Sequence, residues 1–250
     1  MQTQKKNRIF VRVKKSLFCM YTLLTTLDMS GNTALTTLYC NSSRLTNLNV
    51  SGNTALTDLN CCCNQLVTLN VSHCTALSDL GCSGNQLENL DVRDCTELTG
   101  LNCYDNQLTT LDLSKNIVLS GLCCNDNQLT TLDMSANTEL IGMDCSNNQL
   151  TTSALNDFFR TLHNNPLTGA DDWPKSIYIK NNPGTSNCDV RIAEEKGWWV
   201  YTGELPISKQ RLSNPKSNDF DGRIFWKQWH AVPKGIEDSV EMYMDFIKQF

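Results

Sequence analysis

The chain has 250 residues, 40% of them hydrophobic, which is long enough for one domain with a sizeable core plus appendages. No apolar run approaches the ~20 residues of a membrane span, so a transmembrane helix is not predicted. The net charge is −5, but residues 27–152 carry thirteen acidic side chains against three basic ones. Such an acidic body repels phosphate backbones, which argues against nucleic-acid binding and favours a basic partner.

The first 26 residues fit two interpretations. They hold six basic residues and no acidic one, followed by the apolar stretch SLFCMYTLL, which is the outline of a signal peptide. However, Leu17 and Cys19 precede Leu38 and Cys40 by 21 positions, the period of the repeats described next. We favour a basic N-terminus with a degenerate first repeat over residues 1–26. A signal peptide and a truncated gene start remain the alternatives.

Six units of 21 residues fill positions 27–152 without insertion or deletion, each close to the pattern LxxLxCxxNxL. Constant spacing stacks each residue type into a column along one axis. Alternation around the Leu and Cys positions is typical of a strand whose Leu and Cys side chains both face inward. The second half of each unit lacks a 3.6-residue period and is predicted to be extended or turn-like.

Two columns are predicted to be structural. Adjacent rungs of a parallel sheet lie ~4.8 Å apart, which is longer than the ~3.8 Å Cβ separation that a disulfide prefers. We therefore expect a ladder of buried, reduced thiols, formed by Cys40, Cys61, Cys82, Cys103, Cys124 and Cys145. An Asn three positions later is expected to bond backbone groups where the strand turns away. This Asn ladder consists of Asn64, Asn85, Asn106, Asn127 and Asn148.

The repeat pattern ends at residue 152. The stretch 153–163 has helical apolar spacing, strands are predicted at 176–179 and 198–201, and residues 153–202 form a cap over the apolar end of the repeats. Residues 203–250 read as a linker and an amphipathic helix of unknown role. The apolar face of that helix consists of Ile236, Val240, Tyr243, Ile247 and Phe250.

The pattern resembles the leucine-rich repeat, with Cys in one of the Leu positions. Over residues 16–201 the chain is similar to bacterial surface leucine-rich repeat proteins of the Bacteroidetes type and, more distantly, to internalins. The segment IYIKNNPGTSNCDVRIAEEKGWWV (177–200) matches the segment that closes the solenoid in that family. The resemblance implies a right-handed solenoid of the α/β class, mostly parallel β with little helix in the repeats, and an α/β C-terminal cap. It also implies a secreted or cell-surface location.

Outward strand positions vary from unit to unit, and solenoids use this concave face for recognition. The face combines acidic residues with two tyrosines, which are interface anchors if they do not simply cover the sheet. We expect it to bind a protein partner, and a basic one is favoured. The predicted partner-binding residues are Tyr39, Asp58, Asn60, Asp79, Asn102, Tyr104, Asp105, Asn125, Asp126 and Asp144.

No catalytic residue, metal site or cofactor is predicted, because the Asp and Ser residues recur once per unit and the histidines are scattered. Cys62, Cys63 and Cys123 interrupt columns of other residues, so they are expected on the concave face or its rim, with Cys62 and Cys123 labelling first. Two functions follow. The first is a non-catalytic protein–protein interaction or adhesion module. The alternative is a solenoid that targets a small effector or enzyme element in residues 203–250.

Overall fold

The computed structural model describes residues 15–166 and 174–203. The basic residues before Lys15 and the amphipathic helix predicted within 236–250 lie outside the described residues. Within them the elements are, in chain order, β1 Ser16–Phe18, β2 Thr26–Asp28, β3 Thr37–Tyr39, β4 Asn47–Asn49, β5 Asp58–Asn60, β6 Asp79–Gly81, β7 Gly100–Asn102, β8 Gly121–Cys123, β9 Gly142–Asp144, α1 Thr152–Thr161, β10 Lys175–Tyr178, α2 Arg191–Glu194 and β11 Trp198–Tyr201.

The strands form a nine-stranded parallel sheet in the order β1-β3-β5-β6-β7-β8-β9-β10-β11, and β2 pairs with β4 in a second sheet. Between β1 and β9, residues paired across neighbouring strands are 21 positions apart in the sequence. Leu38 pairs with Leu59, for example, and Leu59 pairs with Leu80. β1 joins this register through the pairing of Leu17 with Leu38. The parallel solenoid with little helix is therefore confirmed, and the second half of each unit is extended or turn-like.

The core is built from the inward Leu and Cys columns. All six thiols of the predicted Cys ladder are 0% exposed, and they are free. Burial raises the pKa of each of them, to about 12 for Cys103, so these thiols stay protonated at neutral pH. Two of them donate weak bonds to the next rung, from Cys61 Sγ to Gly81 O and from Cys145 Sγ to Tyr178 O, both at 3.4 Å. They act as small apolar side chains.

The Asn ladder ties each coil to its neighbours through the backbone. Asn106 Nδ2 donates to Cys82 O and Cys103 O at 3.1 Å and to Tyr104 O at 3.3 Å, while its Oδ1 accepts from Leu87 N at 3.0 Å. The same set of bonds recurs at the other four Asn residues of the ladder. The buried amides are thus satisfied on both sides, which is what permits a polar column inside an apolar core.

A hydroxyl ladder lies at the other end of the strands. In each of five coils a Thr or Ser hydroxyl donates to the backbone carbonyl 21 residues earlier, at 3.0–3.1 Å. The donors are Thr36, Thr57, Ser78, Thr99 and Ser120. The hydroxyl groups therefore hold the coils together where the chain enters the sheet, just as the Asn amides do where it leaves.

A column of left-handed residues precedes the Asn ladder. Its members all have φ between +52° and +62°, and they are Tyr21, Ser42, Cys63, Gly84, Asp105, Asp126 and Asn147. Gly, Asn and Asp tolerate this conformation, whereas other side chains crowd the following carbonyl. Tyr21, Ser42 and Cys63 therefore occupy strained backbone positions.

The cap extends the solenoid, although its sequence does not follow the 21-residue repeat. Thr151 caps α1 by accepting from Ala154 N, and α1 buries Leu155, Phe158 and Phe159. Asn182 takes the next place in the Asn ladder, with Nδ2 bonded to Cys145 O at 3.0 Å and to Ile179 O at 2.9 Å. A ladder rung thus reaches into the cap, beyond the six 21-residue units.

Candidate binding face

The outward side chains of the nine-stranded sheet form the surface that we call the outer sheet face. The first column runs Ser16, Thr37, Asp58, Asp79, Gly100, Gly121, Gly142, Ser176 and Trp199. The second runs Phe18, Tyr39, Asn60, Gly81, Asn102, Cys123, Asp144, Tyr178 and Tyr201. A third column, two residues further on, holds Asn41, Cys62, Ser83, Tyr104, Asn125, Ser146 and Lys180. Within these described columns Lys180 is the one basic residue.

At the N-terminal end, aromatic and acidic groups lie together. Phe18 and Tyr39 pack edge to face with centroids 5.3 Å apart. Asp58 and Asp79 are register partners on adjacent strands. Burial, together with the charge of Asp58, raises the pKa of Asp79 from 3.8 to about 6. Burial and both carboxylates also raise the pKa of Tyr39. The pair is therefore an under-neutralised negative site that a cation would relieve.

In the centre the outer sheet face is lined by glycine and small residues. Gly100, Gly121 and Gly142 succeed one another in the first column. Asn102 is predicted to be available to a partner, but it is only 4% exposed. Its Oδ1 is buried and accepts no hydrogen bond within the described residues. Asn102 is thus a buried residue of the outer sheet face and not an exposed contact.

The prediction that Cys62 and Cys123 label first is wrong. Cys123 is 6% exposed, and burial raises the pKa of Cys62 to about 11, although a hydrogen bond from Ser83 opposes the rise. Burial also raises the pKa of Tyr104, and Ser83 opposes that rise too, so Cys62, Ser83 and Tyr104 form a row across adjacent coils. Cys63 is exposed on the rim, and it is the thiol that reagents reach first.

Several predicted contact residues also shape the local backbone. Asn60 Oδ1 accepts from Cys62 N at 3.1 Å, and Asp144 Oδ1 accepts from Ser146 N at 2.9 Å. Asp105 and Asp126 are exposed on the rim as part of the left-handed column, and Asn125 Nδ2 donates to Asp126 Oδ2 at 2.6 Å. The rim carboxylates face solvent, whereas the inner polar groups are already used in turns.

The C-terminal end of the outer sheet face is not among the predicted partner-binding residues. Tyr178 and Tyr201 stack with centroids 4.6 Å apart and an interplanar angle of 16°. Trp199 lies beside them in the first column and is partly exposed. The signal was present, because residues 176–179 and 198–201 were predicted as strands. These two strands were assigned to a cap and not to the same sheet, so their outward residues were not included in the predicted binding face.

The part of the chain that the structure describes contains no cluster of three or more His, Cys, Asp or Glu side chains able to hold a metal ion. In that same part, no helix has both the length and the apolar character needed to cross a bilayer.

These columns and ladders define a leucine-rich repeat solenoid. No protein-family model and no curated protein matches the chain. Solved structures do match. Internalin C2 of Listeria monocytogenes has a TM-score of 0.58 at 19% identity, covering 75% of this chain and 80% of that one. YopM, a leucine-rich effector of Yersinia pestis, has a TM-score of 0.56 at 21% identity, covering 75% and 48%. An internalin (inlF) of Listeria monocytogenes has 0.51 at 20%, covering 73% and 62%.

At these identities the likeness establishes the fold alone. The chain spans about half of the YopM chain and under two thirds of the inlF chain.

Proposed function

We propose that this protein is a non-catalytic interaction module that binds a protein partner on its outer sheet face. The observation that carries the proposal is where the sequence varies. The inward Leu and Cys columns and the Asn and hydroxyl ladders are nearly constant from coil to coil, because each member completes a buried contact or a backbone bond. The second and third outward columns change at almost every coil, whereas the first keeps Asp in two coils and then Gly in three. Variable residues on a rigid scaffold are typical of recognition.

Charge and ring content indicate the kind of partner. The face and its rim offer Asp58, Asp79, Asp105 and Asp126, together with Tyr104, which is 36% exposed. Exposed aromatic groups dominate interface energy, and carboxylates speed association with a basic surface. The expected partner is a protein with Lys or Arg side chains around an apolar centre, and added salt should weaken its binding.

The test begins with capture of partners by the full chain from surface extracts. It then compares two double variants against a captured partner. Tyr104→Ala with Asp126→Lys alters the outer sheet face, whereas Ile117→Ala with Glu139→Lys makes the same chemical changes at exposed positions off that face. We expect the first to weaken binding at least about tenfold, or ~1.4 kcal/mol, and the second to have no effect. Neither should shift the melting temperature by more than about 2 °C.

Normal binding by the first double variant would overturn the proposal. If removal of residues 204–250 abolishes binding in the same assay, the tail is the functional element and the solenoid serves to target it.

A further inference from the structure

The cap strands belong to the same surface as the repeat strands. β10 pairs with β9 and β11 pairs with β10, both in parallel, so that Tyr178, Tyr201 and Trp199 continue the outward columns of the repeats. Lys175 and Trp198, one residue before the outward positions, point inward and are 4% and 1% exposed. Strand alternation thus fixes which cap aromatics face outward.

The first column now has two chemically distinct ends. Asp58 and Asp79 occupy adjacent strands at one end, and Trp199 occupies the last described strand at the other. Five strand spacings separate Asp79 from Trp199, which is ~24 Å at ~4.8 Å per spacing. Tyr178 adds a second partly exposed ring to the aromatic end, and it stacks on Tyr201, which is 9% exposed.

Between the ends, Gly100, Gly121 and Gly142 add no side chain to the first column, and their backbone is buried. Asn102 lies on the same face of β7 as Gly100, and its buried Oδ1 has no hydrogen-bond partner among the described residues. A buried acceptor without a partner is destabilising, because it has lost its hydrogen bonds to water. A donor from a bound molecule that reaches this oxygen would satisfy it.

We infer that the outer sheet face is a two-anchor site for an elongated polypeptide, with its basic residues on Asp58 and Asp79 and an apolar aromatic segment on Trp199 and Tyr178. The inference rests on the proposed function. It adds an anchor on the cap, the distance between the two anchors, and which end of the ligand is basic and which is apolar. The three glycines leave the first column without side chains between the anchors. The charge requirement follows from the carboxylate pair, which in these columns has no basic residue on a neighbouring strand.

Synthetic helical peptides test the spacing directly. Each carries two arginines at one end and a Trp-Leu pair at the other, joined by a semi-rigid helical spacer of about 8, about 16 or about 24 residues, where 1.5 Å per residue makes the middle one match ~24 Å. Binding to the full chain is followed by fluorescence anisotropy. We expect the middle peptide to bind at least about tenfold tighter than the other two.

Asp79→Asn and Trp199→Ala should each remove that spacing preference, whereas Glu139→Gln should keep it. Tyr178→Ser provides a second test of the aromatic end, and melting temperatures show whether each variant is folded.

Equal affinity for the three spacers would overturn the two-anchor inference, as would an unchanged preference in folded Trp199→Ala and Tyr178→Ser proteins. The failures remain distinguishable. If captured partner binding depends on Tyr104 and Asp126 but the peptides show no spacing preference, the interaction module stands and the two-anchor site does not. If neither measurement depends on this face, both proposals fail.

Discussion

Removing one amide from the Asn ladder gives the sharpest test of how the coils are held together. Asn106→Ala deletes three donated bonds, to Cys82 O, Cys103 O and Tyr104 O, and the bond that Oδ1 accepts from Leu87 N. The Leu87 amide is then left buried without its acceptor. At about 1 kcal/mol for each bond lost, plus a desolvation cost for the orphaned amide, the variant should lose about 3–5 kcal/mol.

Urea unfolding followed by circular dichroism measures this loss, with Gln107→Ala as the control, because Gln107 is the exposed neighbour and should change stability by less than about 0.5 kcal/mol. Asn106→Asp provides a further test. It keeps the oxygen that accepts from Leu87 N, but it replaces the amide donor with a second oxygen that faces three carbonyl oxygens. It should be at least as unstable as the Ala variant at neutral pH. A loss below about 1 kcal/mol for Asn106→Ala would refute the idea that the ladder bonds, and not apolar burial alone, hold the coils.

Three further predictions follow from local geometry. A Cβ on Gly184 would lie 2.3 Å from the backbone of Thr151, so Gly184→Ala should cost at least about 3 kcal/mol in a thermal melt, whereas Gly203→Ala, with open space around it, should be neutral. Cys63→Gly should stabilise the protein by about 1 kcal/mol in urea, because it relieves a left-handed Cys, and no gain would contradict the strain. The pKa of Asp79 is raised in the folded state, so its contribution to stability is present below pH 3.8 and is lost as pH rises through about 6. Asp79→Asn should therefore stabilise by about 1 kcal/mol at alkaline pH, after allowance for solvent screening, and the gain should vanish below pH 3.8. A gain that persists in acid would contradict this.

The sequence predicts the fold well because a constant 21-residue period leaves few structural choices. Once Leu38, Leu59 and Leu80 are equivalent, stacking them in a parallel sheet sets the register, and that register is observed. The Asn column was also interpretable, since a polar residue recurring beside an apolar row needs a repeated backbone partner. The period does not predict how much of an outward side chain is exposed to solvent.

Strand alternation predicts which way a side chain points but not how much of it solvent reaches, so Asn102 and Cys123 were wrongly predicted to be accessible. Each is outward by strand alternation, yet each is nearly inaccessible. The sequence carries a partial signal for the left-handed column in Gly84, Asp105 and Asn147, whose residue types favour positive φ. Tyr21 and Cys63 concealed the pattern, because neither residue type signals that conformation.

The Asn ladder, which we call the inner column, and a second Asn column in the other half of each unit, which we call the outer column, differ in how they tolerate cysteine. The outer column consists of Asn32, Asn53, Asn116 and Asn137, with Cys74 and Cys95 at the two places between them. In the second half of the units, Asn53 Nδ2 donates to Met29 O and Asn32 O, but its Oδ1 is buried without a partner. At the equivalent place in the next coil, Cys74 makes one weak bond to Val50 O at 3.8 Å and leaves no orphaned oxygen.

The two arrangements are therefore close in energy. Restoring the amide with Cys74→Asn gains about two bonds and costs one unsatisfied acceptor, so stability should change by less than about 1 kcal/mol. Asn127→Cys removes four satisfied bonds from the inner ladder and should cost about 3 kcal/mol in the same urea titration. If the two substitutions cost the same, hydrogen-bond satisfaction does not explain why cysteine enters the outer column and not the inner one.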